Sequence, residues 1–168
     1  YADSGRGTFI NVNPGDPIKY LTAVNGDAEG YTEKTFLVTG DANNYQVKIE
    51  YTRDGVLTMY LKELNLTSDM GIQFGITDYN KDCGDTPLNI VIEGEKDSYI
   101  YTNTSYQSAL FLNTTGDVTI SSVNGVQLKL ESNKEVGDRS TLYAKGNLIL
   151  KDANLLVTGT EDGVATDG

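Results

Sequence analysis

The sequence holds no histidine and no tryptophan among its 168 residues, one cysteine and three prolines. Without histidine there is no Ser-His or Cys-His nucleophile pair and no imidazole-ligated metal. The single thiol, Cys83, makes neither an intramolecular disulfide nor a thiolate zinc site, and it reads as inert. No run of 18 apolar residues is present, so no membrane-spanning helix is expected. Positive charge is sparse: 13 Lys and Arg stand against 24 Asp and Glu, a net charge of −11. Nothing basic is concentrated enough to neutralise nucleic-acid phosphates, and the balance favours cations or neutral partners. The opening stretch YADSGRGTF lacks the basic and apolar regions of a signal peptide, so secretion would imply a signal already removed.

What remains is rich in Thr, Val, Ile, Leu, Gly, Asn, Asp and Tyr, the last present 11 times. That mixture suits strands and turns and suits helices poorly. The length suits one domain with a real core. Two phrases sound alike, GDVTISSVNGVQLKL from Gly116 and GNLILKDANLLVTGT from Gly146. Traced upstream, the pattern becomes Leu57-Met59-Leu61, Leu88-Ile90-Ile92, Val118-Ile120 and Leu148-Leu150, whose first members lie 31, 30 and 30 residues apart. Each period holds further alternating strands: Leu64-Leu66 and Ile72-Phe74-Ile76, then Tyr99-Tyr101 and Leu110-Leu112. The third and fourth periods supply Val126-Leu128-Leu130 with Leu142-Ala144, then Leu155-Val157. Alternation buries one face of each strand and leaves the other wet. Turn residues fill the joints, as in VNG at Val123 and EGEKD at Glu93.

Two architectures satisfy an all-β pattern of this kind. An antiparallel β-sandwich has short strands at regular spacing but no reason to hold one period over four of them. A parallel β-helix must hold it, because rungs differ only by insertions at their corners. We therefore expect a right-handed parallel β-helix of about four rungs, with surplus length in corner loops 78–86 and 132–139. Residues 1–55 fit the repeat poorly and read as a cap with an irregular first rung. Residues 56–160 form the rungs, and residues 161–168 read as a tail or linker towards neighbouring domains in a longer protein.

The order of phrases carries a resemblance. GVLTMYLKELNLTSDMGIQFGI, PLNIVIEGEKDSYIYTN, SALFLNTTGDVTISSVNGVQLKL and STLYAKGNLILKDANLLVTGT follow one another over residues 40–160. In this the chain resembles clostridial carbohydrate-binding β-helix domains, which are similar to pectate lyases in fold but lack their catalytic apparatus. The resemblance implies an extracellular or cell-surface bacterial protein that binds plant polysaccharide with calcium ions in its loops.

The candidate sites have competing readings. Asp78, Asp82 and Asp85 crowd one corner loop, where carboxylates and carbonyls can supply the oxygens that calcium takes. A solvated acidic turn is the plainer account of the same residues. Glu93, Glu95 and Asp97 form a weaker cluster, interrupted by Lys96. Tyr79, Tyr99, Tyr101 and Tyr106 surround the second rung, and Tyr99 and Tyr101 share a strand face. Exposed tyrosines stack on pyranose rings, whereas sheets commonly use the same residues as stabilising ladders. The sequons at Asn65, Asn103 and Asn113 read as turn chemistry or Asn and Thr ladders rather than glycosylation sites.

Three function classes follow. The leading expectation is a noncatalytic carbohydrate-binding module, with no catalytic residues and calcium as its cofactor. Against an acidic polymer calcium would have to bridge, whereas a neutral glucan would rest on tyrosines. A structural or adhesive surface module predicts no glycan binding. A polysaccharide lyase would need a strong base, for which Arg139 beside Asp138 is best placed among Arg6, Arg53 and Arg139; a solvated charge is the commoner role.

Overall fold

A computed structural model of the chain describes residues 8–11, 20–24, 35–43, 46–50, 56–75, 84–103, 108–133, 140–159 and 162–168. Among them the only regular elements are strands, and no helix is long and apolar enough to cross a membrane. In chain order they are β1 (Thr8–Asn11), β2 (Tyr20–Val24), β3 (Thr35–Asn43), β4 (Gln46–Glu50) and β5 (Leu57–Ser68). There follow β6 (Ile72–Phe74), β7 (Leu88–Glu93), β8 (Ser98–Thr102), β9 (Leu110–Leu112) and β10 (Val118–Ser122). The last five are β11 (Gln127–Ser132), β12 (Leu142–Ala144), β13 (Leu148–Leu150), β14 (Asn154–Thr158) and β15 (Val164–Thr166).

Every pairing among the described residues is parallel. This departs from the antiparallel sandwich, whose hairpins would alternate in direction. One sheet runs β13-β10-β7-β5-β8-β11-β14, with β3 beside β5 and β1 beside β3; the other runs β15-β12-β9-β6-β4-β2. The repeat is the register: Leu57 pairs with Leu88, Leu88 with Val118, and Val118 with Leu148. Their side chains turn inward, and Leu57, Met59, Leu61, Leu88, Ile90, Ile92, Val118 and Ile120 are fully buried in a single core. Leu148 and Leu155 are only partly buried, because no described strand lies beyond β13 and β14.

β5 explains how the larger sheet bends. Its first half pairs with β7 and its second half with β8. Inward positions run Leu57, Met59, Leu61 and then Leu64, Leu66, Ser68, so one extra residue interrupts the alternation. Glu63 absorbs it with φ at 50°, and the register with β3 slips at the same place, between Thr39 and Gly40. A bulge of this kind re-aims the strand without ending it. On later rungs the bend is a turn. Over Glu63 lies the turn at Gly94, whose Glu95 N–H donates to Glu63 Oε1 at 2.8 Å. The VNG and DAN turns stack on each other. Asn154 donates through Nδ2 to the Gly125 carbonyl at 2.7 Å, and its backbone N–H donates to Ser122 Oγ at 2.8 Å.

The glycines that open the two similar phrases have a steric origin. A Cβ on Gly116 would collide with the Asp85 carbonyl, and one on Gly146 with the Gly116 carbonyl. Glycine there lets successive rungs approach at the corner, and Asn147 Nδ2 then donates to Asp117 Oδ1 at 2.9 Å along the stack.

Parallel pairing extends on both sides of the phase-locked triplets. β3 and β4 pair in parallel with β5 and β6, continuing both sheets into the stretch read as a cap with an irregular first rung. Thr35 faces Thr58 and Val47 faces Ile72, offsets shorter than the downstream period, which is why a search at 30 residues passes over them. Within the expected tail, β15 pairs in parallel with β12.

Candidate functional site

β8 reads Ser-Tyr-Ile-Tyr-Thr, and strict alternation sends Ser98, Ile100 and Thr102 into the core. Tyr99 and Tyr101 therefore stand on the outer face, half-buried. Their ring centroids are 6.4 Å apart and their planes differ by 15°. Parallel pairing sets Asn65 and Thr67 beside them on β5, and Lys129 and Glu131 beside them on β11. The Tyr99 hydroxyl donates to Glu131 Oε2 at 2.7 Å, reaching diagonally to the next rung. Lys129 turns the other way, with Nζ 3.0 Å from Asp97 Oδ2. The result is two nearly parallel aromatic rings bordered by an amide, a hydroxyl and a carboxylate.

The electrostatics follow from those contacts. Burial, then the bond to Glu131, pushes the Tyr99 phenol up to about 12. The bond from Lys129 and the Gln127 backbone N–H hold the Asp97 carboxyl below its ordinary range. Tyr99 yields a pH prediction. A proton held more tightly by the folded than by the unfolded chain makes stability fall as pH rises. The contribution is complete below the unfolded phenol value of about 10 and is lost on passing the folded value. With the partly exposed position allowing some screening, the loss should reach about 1–2 kcal/mol. Urea unfolding of the native chain and of Tyr99→Phe across this alkaline window measures it. Identical pH slopes for the two proteins would contradict it.

The sequence reading passed over a second aromatic pair, Phe111 on β9 and Tyr143 on β12. They are register partners with centroids 4.9 Å apart and planes 17° from parallel. The signal was present, since the middle residue of each short strand is aromatic, but only alignment of the rungs brings the two together. Stacked across adjacent strands, each ring covers a face of the other, and the Tyr143 hydroxyl donates to Asp167 Oδ2 at 2.6 Å. This pair is a stabilising ladder. Tyr99 and Tyr101 lie along one strand instead.

Of the residues expected to bind glycan, Tyr79 and Tyr106 lie outside the described residues. So do Asp78 and Asp82 of the calcium loop; Asp85 is described and exposed. Among the described residues no group of three or more Cys, Asp or Glu side chains is arranged to hold a metal ion. The Glu93-Glu95-Asp97 corner is accounted for by hydrogen bonds, since Asp97 anchors both Gln127 N–H and Lys129. The sequon residues do turn chemistry: Asn113 Nδ2 donates to the Gly75 carbonyl at 3.0 Å, and Thr114 Oγ1 to the Thr86 carbonyl at 2.6 Å. Asn103 Nδ2 reaches Asp69 Oδ1 at 3.4 Å. Arg6, Arg53, Asp138, Arg139 and Cys83 lie outside the described residues.

No protein-family model, curated protein or solved structure matches the chain. The class it belongs to is therefore stated from its own geometry: an all-β protein of parallel strands in two curled sheets, with an aromatic pair on an outer face.

Proposed function

We propose that the chain is a right-handed parallel β-helix acting as a noncatalytic extracellular module that binds plant cell-wall polysaccharide. Three rungs in register with a bend at one corner support the coil, and the strong preference of parallel crossovers for the right hand supplies its sense. The observation that carries the ligand reading is the pair Tyr99 and Tyr101, half-exposed along one strand and bordered by hydrogen-bonding side chains. An apolar ring face with polar groups at its edge is complementary to a pyranose, whose C–H face stacks while its hydroxyls bond. The bacterial source, the extracellular location and calcium come with the resemblance described above.

The test is a polysaccharide array containing pectins and β-glucans, probed with the full chain in calcium and in chelator. Binding to at least one polysaccharide is expected, weakened about tenfold or more in a Tyr99→Ala/Tyr101→Ala double variant whose unfolding midpoint shows it folded. Binding lost in chelator assigns calcium to the interaction. Absence of binding to every glycan in both conditions overturns the reading and leaves a structural or adhesive solenoid.

A further inference from the structure

The outer face around Tyr99 and Tyr101 has an uneven charge. Among the described register partners of the two tyrosines the one cation, Lys129, is committed to Asp97 at 3.0 Å. Glu131 stands in register with Tyr101, and the bond from the Tyr99 hydroxyl holds its carboxylate beside both rings. Asp41 lies on the same face, in register with Asn65, which is itself in register with Tyr99. Any ligand resting on the two rings therefore meets Glu131 first, with a second carboxylate further along the ladder and the ammonium already neutralised.

We infer that Glu131 is a specificity-determining residue of this face, selecting uncharged glycans over carboxylated ones. The inference rests on the carbohydrate-binding reading and deepens it. Two effects act together. A carboxylate accepts hydrogen bonds from sugar hydroxyls, and with Oε2 taken by Tyr99 the other oxygen of Glu131 keeps its acceptor capacity for a ligand. A uronate carboxylate brought to the same place offers no donor and carries the same sign, so each approach costs Coulomb energy that Lys129, already paired with Asp97, does not return. Selection of this kind works by repulsion and should weaken as salt screens the pair, since the Debye length falls from about 30 Å at 0.01 M to about 3 Å at 1 M.

The experiment uses two probes with one backbone, a soluble uncharged β-glucan and its carboxymethylated derivative, titrated into the full chain in chelator. The quantity read is the ratio of the two affinities. In native protein at low salt a preference of about tenfold for the uncharged probe is expected, shrinking to about twofold at high salt. In Glu131→Gln, which keeps an acceptor for the Tyr99 hydroxyl, the low-salt ratio should already be near twofold. A merely structural Glu131 would change both affinities together and leave the ratio intact. An unchanged ratio in Glu131→Gln, or equal affinities in native protein at low salt, overturns the inference while the carbohydrate reading survives. Should the variant not fold, a salt-independent ratio in native protein overturns it equally. Failure of native protein to bind either probe, together with a blank polysaccharide array, removes the underlying reading as well.

Discussion

Gly71→Ala should cost about 3–4 kcal/mol, one of the largest losses available from a single methyl group in this protein. Two independent penalties coincide there. Gly71 has φ of +59°, which an L side chain tolerates poorly. Its would-be Cβ also falls within the volume of the Ala109 backbone carbonyl. That carbonyl cannot step aside, since it accepts the Ile72 N–H at 2.9 Å in the ladder joining β6 to the next rung. The turn itself is braced below, where Ser68 Oγ accepts the backbone N–H groups of Met70 and Gly71, each at 3.0 Å. A methyl group must therefore pry two rungs apart. Gly125→Ala separates the penalties. Its φ is +73° but nothing stands within 4 Å of a Cβ, so only the conformational cost of about 1 kcal/mol remains. Urea unfolding of both variants measures the difference, and equal losses would show that no clash operates at Gly71.

Phe74→Ala is expected to cost about 3–5 kcal/mol by emptying part of the core between the two sheets. Phe74 is fully buried and heads the largest wholly enclosed side chains. It sits on β6, in register with Ile49 on β4 and Leu112 on β9, so rungs on both sides hold the walls of the void apart. Its backbone carbonyl is fixed by Asn113 N–H at 2.9 Å, which limits collapse. Phe74→Leu keeps most of the volume and should recover all but about 1–1.5 kcal/mol. The check is the urea midpoint at unchanged slope. A loss under about 1 kcal/mol for the alanine would mean that the site collapses freely, contrary to rungs held apart by their ladders.

The repeat was legible downstream of Leu57 because each rung there spends nearly the same number of residues, so alternating apolar triplets recur in phase. Leu57, Leu88, Val118 and Leu148 become register neighbours without correction. Upstream, β3 meets β5 and β4 meets β6 at shorter offsets, and a fixed period cannot find them. At the other end of the chain, length is the obstacle. β15 has three residues, too few for periodicity, and only its pairing with β12 identifies it. For the site, alternation in SYIYT was enough to put Tyr99 and Tyr101 on one face. It could not supply Glu131 or Lys129, which arrive from another rung 30 residues downstream in register.

By itself, then, the sequence determined what is local or periodic: the all-β composition, inward and outward positions along each strand, the spacing of the rungs, and the absence of imidazole chemistry. Tertiary structure decided what depends on which residues lie above and below. It made Gly116 and Gly146 steric necessities, joined Phe111 to Tyr143, and turned Lys129 towards Asp97 while Glu131 took the Tyr99 hydroxyl. The physical reason is that strand periodicity acts within a few residues of chain, whereas a parallel ladder brings together groups separated by a whole rung. Their distance in sequence is set by corner lengths that follow no period.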